Sequence, residues 1–244
     1  MDRGVELIAS FWSLAGNVEP GSVEVSPFDF RAKVEAAAKA GFSGLGLVHD
    51  DVMAISQRLG VGQMKQILAD NGMRLVEFEC LMDWFATGER RKRSDVARRN
   101  LLWAAEQFGA RHVKVGGDTV NTDRNAWPME HLAEEFAALC ADAAKVGTRI
   151  AIEIMPFTNV QTLEQGLELQ RLAGAANGGL MLDIWHMERG GIRPADIAKL
   201  PKEAVFWVEL DDADREVVGG LYPDTIHNRQ LCGHGSFDIP AFLK

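Results

Sequence analysis

Residues 149–157 read RIAIEIMPF and residues 179–186 read GLMLDIWH, and these two short apolar runs decide the fold of the chain. Both are rich in β-branched residues, leucine or methionine and are bounded by glycine or proline, as buried strands are. Each contains one acid, Glu153 in the first run and Asp183 in the second. A carboxylate inside an apolar strand is costly unless a partner compensates its charge. Two such acids on two strands predict a shared divalent metal ion.

Strand-like and helix-like segments alternate along the rest of the chain. The predicted strands are 5–12, 42–49, 74–81, 111–115, 149–157, 179–186 and 205–210, and the predicted helices are 28–40, 51–71, 92–108, 129–146, 162–173 and 194–200. This alternation is typical of parallel strands joined by crossover helices, and at this length it favours a (β/α)₈ TIM barrel. A doubly wound sheet is the alternative, but no GxGxxG follows the first strand. We expect one domain over residues 1–244.

The chain ends within a segment that reads as the seventh helix, residues 239–243. A complete barrel needs one more strand and helix after that point. The sequence therefore predicts a TIM barrel with the eighth βα unit missing from this chain.

Composition narrows the classes of function. The net charge of −9 argues against nucleic acid as a partner, because phosphate backbones are bound by clustered lysine and arginine. The three cysteines have no CxxC spacing, which fits a reducing compartment. No signal-peptide pattern opens the chain, and no apolar run approaches the length of a membrane span. We expect a cytoplasmic protein with no membrane partner.

Three acids fall at the predicted carboxyl ends of strands, where barrel chemistry is located. They are Glu153, Asp183 and Glu209, with His49 and His186 beside them. Three carboxylates and an imidazole suit Mn²⁺, the preferred ion, and also Mg²⁺ or Zn²⁺. In the structural alternative, single acids cap helices or pair with buried arginines, since ion pairs also perturb such groups. The histidines His49, His186 and His227 could likewise be structural residues instead of site residues.

Three motifs in order resemble the xylose isomerase-like TIM-barrel superfamily of sugar isomerases and epimerases. The motifs are Ala151-Ile152-Glu153, Met181-Leu182-Asp183-Ile184-Trp185-His186 and Gly233-His234-Gly235-Ser236-Phe237-Asp238. The resemblance implies that Glu153 and Asp183 bind a divalent metal and that His186 contacts the substrate. It also implies that Arg229 holds substrate oxygens. The strand-seven ligand, usually histidine in the family, is Glu209 here, and the family's glutamate on strand eight is not in this sequence.

The reaction implied by the resemblance passes through a metal-stabilised enediolate of a keto-sugar, sugar phosphate or cyclitol. Glu153 would be a ligand and a proton-transferring base, while His186 would polarise or orient hydroxyls, with His49 and His227 as further substrate contacts. Trp12 is a candidate for stacking on the substrate. Proton transfer between faces or carbons gives epimerisation or isomerisation, and loss of a β-hydroxyl gives dehydration by an inosose-type dehydratase. Dimers or tetramers are the assemblies that the resemblance implies.

Two rival functions and one ambiguous motif accompany this interpretation. An endonuclease IV-type DNA repair enzyme needs more histidine ligands than a chain with six histidines and a charge of −9 offers. A non-catalytic barrel that binds a sugar is the other rival. The basic run from Arg90 to Arg99 opens a helix and could bind a sugar phosphate, although a solvated helix face is the favoured interpretation.

Overall fold

The computed structural model describes residues 5–121, 123 and 125–244, and one parallel sheet forms its centre. Seven strands of the described chain lie side by side in the order of the sequence, and every neighbouring pair is parallel. They are β1 (Ile8–Ala9), β2 (Gly44–Val48), β3 (Leu75–Leu81), β4 (His112–Val115), β5 (Arg149–Glu153), β6 (Gly178–Asp183) and β7 (Val205–Glu209). This order confirms the barrel and excludes a doubly wound sheet, in which the strand order reverses.

Helices follow the strands, and the longer ones pack their buried faces against the sheet. They are α1 (Phe11–Leu14), α2 (Phe30–Lys39), α3 (His49–Leu59), α4 (Val61–Asp70), α5 (Gly88–Phe108), α6 (Met129–Lys145), α7 (Leu163–Ala173), α8 (Ile184–Arg189), α9 (Pro194–Ile197), α10 (Leu221–His227) and α11 (Ile239–Phe242). A 3₁₀ turn covers Lys202–Ala204. Of the helices in the described ranges, none combines the length and the apolar character needed to cross a membrane.

Several predicted elements differ from the observed ones. The predicted strands 149–157 and 179–186 end at Glu153 and Asp183, and Ile184 begins helix α8 instead of continuing the strand. Two further differences concern residues 5–12 and 51–71. The predicted strand 5–12 is only two residues long, and Phe11 and Trp12 lie in helix α1, because the Ser10 side chain accepts the Trp12 N–H and caps a helical turn there. The predicted helix 51–71 is two helices, since Gly60 has a φ of 77° that a right-handed helix cannot continue through. Both errors come from local backbone geometry that hydrophobic periodicity does not report.

The two faces of each strand have different surroundings. Ile150, Ile152, Leu180 and Leu182 are buried and belong to the core that the sheet forms with the helices. The alternate positions of β5 and β6 point into the barrel and carry the acids at the strand ends. One apolar face packs against helices while the other delivers polar groups to the interior, so a single strand serves both fold and site.

The segment after β7 folds back over the barrel and contains the motif Gly233 to Asp238, which has the form GxGxxD. It contains a short antiparallel pair, β8 (Asp212–Ala213) and β9 (Arg229–Gln230). The buried Asp212 carboxylate accepts the N–H groups of Gly233 and Phe237 at 2.9 and 3.0 Å. Gly235 passes so close to Asp212 that a Cβ atom would collide with the carboxylate. The motif is thus wrapped around Asp212, and this contact fixes the strand that carries Arg229.

Strands β1 and β7 form the two edges of the sheet, and no strand in the described part of the chain joins them. The helix expected at 239–243 is α11, a single turn capped by Asp238. The architecture is a (β/α) barrel that lacks one unit, as the alternation of segments predicted.

A buried carboxyl–imidazole pair links the neighbouring strands β3 and β4. Glu77 on β3 and His112 on β4 are buried, and Glu77 Oε2 lies 3.3 Å from His112 Nε2. Burial, reinforced by the charge of Glu79, raises the pKa of Glu77 to about 8. Burial and the nearby Lys114 ammonium lower the pKa of His112 to about 3. Both groups are therefore neutral at pH 7, and their contact is not an ion pair at that pH.

The wild-type protein should lose stability as the pH rises from about 6 to about 8, and we expect the Glu77→Gln variant not to show this loss. Over this range the unfolded state has already released the Glu77 proton, whereas the folded state keeps it up to a pKa of about 8. The difference between the unfolding free energies of the variant and the wild-type protein should therefore shift by about 2 kcal/mol in favour of the variant as the pH rises from about 6 to about 8. Urea unfolding at the two pH values measures this difference. The exposed Glu168→Gln serves as control, and a difference that does not change with pH would contradict the assignment.

Candidate active site

Three side chains converge at the carboxyl end of β5 and β6. Glu153 is the last residue of β5, Asp183 is the last residue of β6, and His186 lies in the following helix α8. All three are buried, with exposed fractions of 5, 1 and 3%. Each offers one ligand atom, and these atoms lie within 4.8 Å of one another. We call this group the Glu153 cluster. It brings together three of the residues that the sequence placed in the site.

The spacing between Asp183 and His186 follows from a helix cap. Asp183 Oδ1 accepts the N–H groups of Trp185 at 2.7 Å and of His186 at 3.3 Å, so the carboxylate starts helix α8. One helical turn then returns the imidazole to the strand end, where His186 Nε2 lies 3.2 Å from Glu153 Oε1. The Asp-x-x-His pattern is therefore a strand end, a cap and one turn of helix.

Arg229 contacts the cluster through Asp183 and His186. Its Nη1 donates to Asp183 Oδ2 at 2.7 Å and also contacts the Asp211 carboxylate. Its Nη2 lies 3.4 Å from His186 Nε2 and donates to Thr225 Oγ1 at 2.8 Å. The structure thus joins the predicted substrate residue Arg229 to the two predicted site residues on α8 and β6.

Asp183 has the structural roles of a helix cap and an ion-pair partner, and these roles do not exclude a role as a ligand. Asp183 both caps a helix and pairs with a partly buried arginine. A carboxylate has about four lone-pair sites on its two oxygens, so these contacts leave room for a further ligand. The two interpretations are compatible for this residue.

A buried lysine, which sequence reasoning missed, lies beside the Glu153 cluster. Lys114 Nζ on β4 is 2.6 Å from Glu79 Oε2, 3.0 Å from Glu209 Oε1 and 3.7 Å from Glu153 Oε2. Glu209 is the last residue of β7, but its Oε1 contacts Lys114 and it is not one of the three residues of the cluster. The signal that could have found Lys114 and Glu79 is charge at alternate positions of two apolar strands, LVEFECL and HVKV.

Carboxylates outnumber permanent cations in the site. Five carboxylates take part in the contacts around the two permanent cations Lys114 and Arg229; they belong to Glu79, Glu153, Asp183, Glu209 and Asp211. Burial by itself raises the pKa of Glu153, but Lys114 and His186 outweigh it and lower this pKa to about 2. Burial raises the pKa of Glu209 well above its usual range, although the Lys114 ammonium group opposes this shift. The excess of acids, with Glu153 ionised, favours a bound cation.

The donor set fits a divalent metal ion. Two carboxylates and one imidazole, all buried and mutually close, are ligands that Mn²⁺, Mg²⁺ and Zn²⁺ accept. The uncompensated negative charge around them is the condition under which a cation stabilises such a group.

The three other predicted substrate residues lie apart from this cluster. The ring nitrogens of His49 contact Asp50 Oδ1 at 2.8 Å and Asn100 Nδ2 at 2.9 Å. Trp12 packs edge-on against Phe11 in helix α1, and His227 is exposed at the end of α10. Within the described ranges, no hydrogen bond or ion pair joins any of the three to the Glu153 cluster. Their contact with substrate remains a prediction.

The basic run on helix α5 binds the protein's own acids. Arg90 pairs with Asp83 and Asp118, and Arg98 donates to Asp142 at 2.6 Å. Lys92, Arg93 and Arg99 are exposed. The run is thus partly a solvated face, as favoured, and partly a set of ion pairs that attach α5 to neighbouring elements.

Comparison with known proteins agrees with the observed fold. Residues 34–244 match the family model described as xylose isomerase-like TIM barrel. The chain is 32% identical over 217 residues to a 3-dehydroshikimate dehydratase of Pseudomonas aeruginosa, covering 86% of this chain and 33% of that protein. It is 30% identical over 104 residues to an inosose isomerase of Halalkalibacterium halodurans, covering 42% and 36% of the two chains. The chain spans about a third of the length of these curated relatives.

Solved structures show the same fold. The IolI protein crystallised with a zinc atom superimposes with a TM-score of 0.79 at 16% identity, covering 98% of this chain and 83% of that one. A fusion of a xylose isomerase-like TIM barrel with 4-hydroxyphenylpyruvate dioxygenase has a TM-score of 0.77 at 24% identity, covering 97% and 36%. With a family model matched over most of its length, the chain belongs to the xylose isomerase-like TIM barrel family.

Proposed function

We propose that this protein is a metal-dependent enzyme that removes a proton next to the carbonyl group of a polyhydroxylated compound. The observation that carries the proposal is the Glu153 cluster, two carboxylates and an imidazole buried together at the carboxyl end of the barrel strands. The related dehydratases and isomerases act on sugar-like molecules, which supports the class of substrate.

Glu153, Asp183 and His186 would hold the metal ion. Mn²⁺ is the preferred ion because hard oxygen ligands with one nitrogen suit it, and Mg²⁺ and Zn²⁺ are the alternatives. When bound, a divalent ion supplies a Lewis acid that makes the hydrogen beside a carbonyl more acidic. Glu209, the third ligand implied by the family resemblance, contacts Lys114 in the described structure.

The side chains of this site supply the remaining functions. Arg229 presents a guanidinium group beside Asp183 and His186, where it can orient a hydroxyl or carbonyl oxygen of the substrate. His186 would supply the nitrogen ligand of the metal ion, because its imidazole faces Glu153 in the cluster. Glu153, ionised through its contacts with Lys114 and His186, is a proton acceptor as well as a ligand.

Dehydration is the outcome that we favour among those open to this site. Proton removal next to a carbonyl is the shared first step; a hydroxyl on the β-carbon then leaves as water, or the proton returns at another position. The dehydratase of Pseudomonas aeruginosa aligns with 86% of the chain, whereas the inosose isomerase aligns with 42%. The proposed substrate is therefore a cyclic hydroxy ketone of the dehydroshikimate or inosose type, with isomerisation or epimerisation as the second candidate.

We expect the purified protein to contain about one divalent metal ion per chain. The double variant Glu153→Gln/Asp183→Asn should lose it, because a neutral amide is a poor ligand for a hard cation. Elemental analysis after dialysis against Mn²⁺ measures the metal content. The matched control is Glu168→Gln/Asp196→Asn, which changes two acids on the surface helices α7 and α9. A wild-type protein that binds no metal would contradict the proposal and favour a non-catalytic sugar-binding barrel.

We expect Arg229→Met to lower kcat/KM by about a hundredfold, the usual effect of removing a preorganised donor from an active site. Arg229→Lys should recover part of the activity, because it keeps the charge but not the forked geometry. Turnover of 3-dehydroshikimate and of an inosose measures the effect, with the exposed Arg171→Met as control. Unchanged kcat/KM in Arg229→Met would exclude a role for this side chain in the reaction.

A further inference from the structure

Lys114 is enclosed by carboxylates from three strands. Its ammonium group contacts Glu79 on β3, Glu153 on β5 and Glu209 on β7 at 2.6, 3.7 and 3.0 Å. The lysine side chain is only 7% exposed, and those of Glu79, Glu153 and Glu209 are 1, 7 and 17% exposed. The contact is thus a buried ion cluster inside the barrel, not a surface ion pair.

Three carboxylates around one point form the environment that a hard divalent cation requires. Here the cation at that point is an ammonium group attached to the chain. Its neighbour across the β4–β5 pair is Ala151, a small residue, so a long side chain has space to extend along the interior. Lysine ends in a compact charge with three donors, which matches three acceptors.

The position of Lys114 affects the metal site next to it because the two share Glu153. Glu153 Oε2 faces Lys114, whereas Oε1 faces His186 Nε2 at 3.2 Å. Glu209 lies opposite Asp183 in the β6–β7 register, yet it directs Oε1 to Lys114. The ammonium group thus lies between Glu209 and the Glu153 cluster and neutralises charge that a second metal ion would otherwise balance.

We propose that Lys114 is a resident cation that occupies the site between Glu79, Glu153 and Glu209, confines the divalent ion to Glu153, Asp183 and His186, and holds Glu209 as its own partner instead of a metal ligand. This inference rests on the metal binding proposed above and refines it. It replaces the expectation, taken from the family resemblance, that Glu209 is the third metal ligand.

The first test replaces the resident cation. In Lys114→Met three buried carboxylates lose their counter-ion, so this variant should bind about two Mn²⁺ per chain where the wild-type protein binds about one. Lys114→Arg keeps the positive charge and should still bind about one. Calorimetric titration with Mn²⁺ gives the stoichiometry, and circular dichroism with and without Mn²⁺ shows whether Lys114→Met folds. Folding that depends on Mn²⁺ supports the proposal, and a folded variant with unchanged stoichiometry overturns it.

The second test does not depend on the folding of Lys114→Met. In an otherwise wild-type chain, Glu209→Gln should change the Mn²⁺ dissociation constant by less than about threefold, while Asp183→Asn should raise it by more than about tenfold. An effect of Glu209→Gln as large as that of Asp183→Asn would make Glu209 a ligand and overturn the proposal.

The two proposals fail in different ways. If the wild-type protein binds no Mn²⁺ but Lys114→Met binds it, the resident cation is supported and the proposed enzyme site is not. If neither protein binds Mn²⁺, both proposals are wrong. If the wild-type protein binds Mn²⁺ and Glu209→Gln abolishes binding, the enzyme proposal stands and the role assigned to Lys114 falls.

Discussion

A surplus of buried acid at the carboxyl end of the strands is the constraint on which the rest of this structure depends. Buried carboxylates are tolerated only when they are paired, and removing one partner of such a pair strongly destabilises the folded protein because the other charge stays buried without compensation. The two permanent cations come from separate parts of the chain, Lys114 from β4 and Arg229 from the segment after β7. The assembly of the sheet and the long segment after β7 therefore both contribute to neutralising the site.

The same contacts serve stability and chemistry. Asp183 begins helix α8, pairs with Arg229 and faces Glu153 across the strand ends. Asp212 is only a structural anchor, since its carboxylate is filled by backbone N–H groups of the GxGxxD segment, and through that anchor it places Arg229. The site is thus positioned by helix capping and by backbone hydrogen bonds rather than by packing alone.

Membership of the family settles the fold and leaves the reaction open, because one barrel hosts many reactions. In this chain the Glu153 cluster, which we propose binds a metal ion, lies beside a lysine-centred cluster that shares Glu153. In this arrangement one carboxylate links two differently neutralised sites.

The sequence by itself determined the barrel and three of the four side chains that the structure brings together, although the predicted fifth and sixth strands ran past their observed ends. Apolar runs with period two and single acids at their ends report burial directly, and the Asp-x-x-His spacing encodes a local cap and turn, so Glu153, Asp183 and His186 could be predicted. Arg229 came from the family resemblance. The tertiary structure alone decided that Lys114 and Glu79 belong to the site and that Glu209 contacts Lys114. Those contacts join residues up to 95 positions apart, and no local pattern records which strand will face which across a barrel. The break at Gly60 and the helical turn at Trp12 depended on backbone geometry that periodicity does not contain.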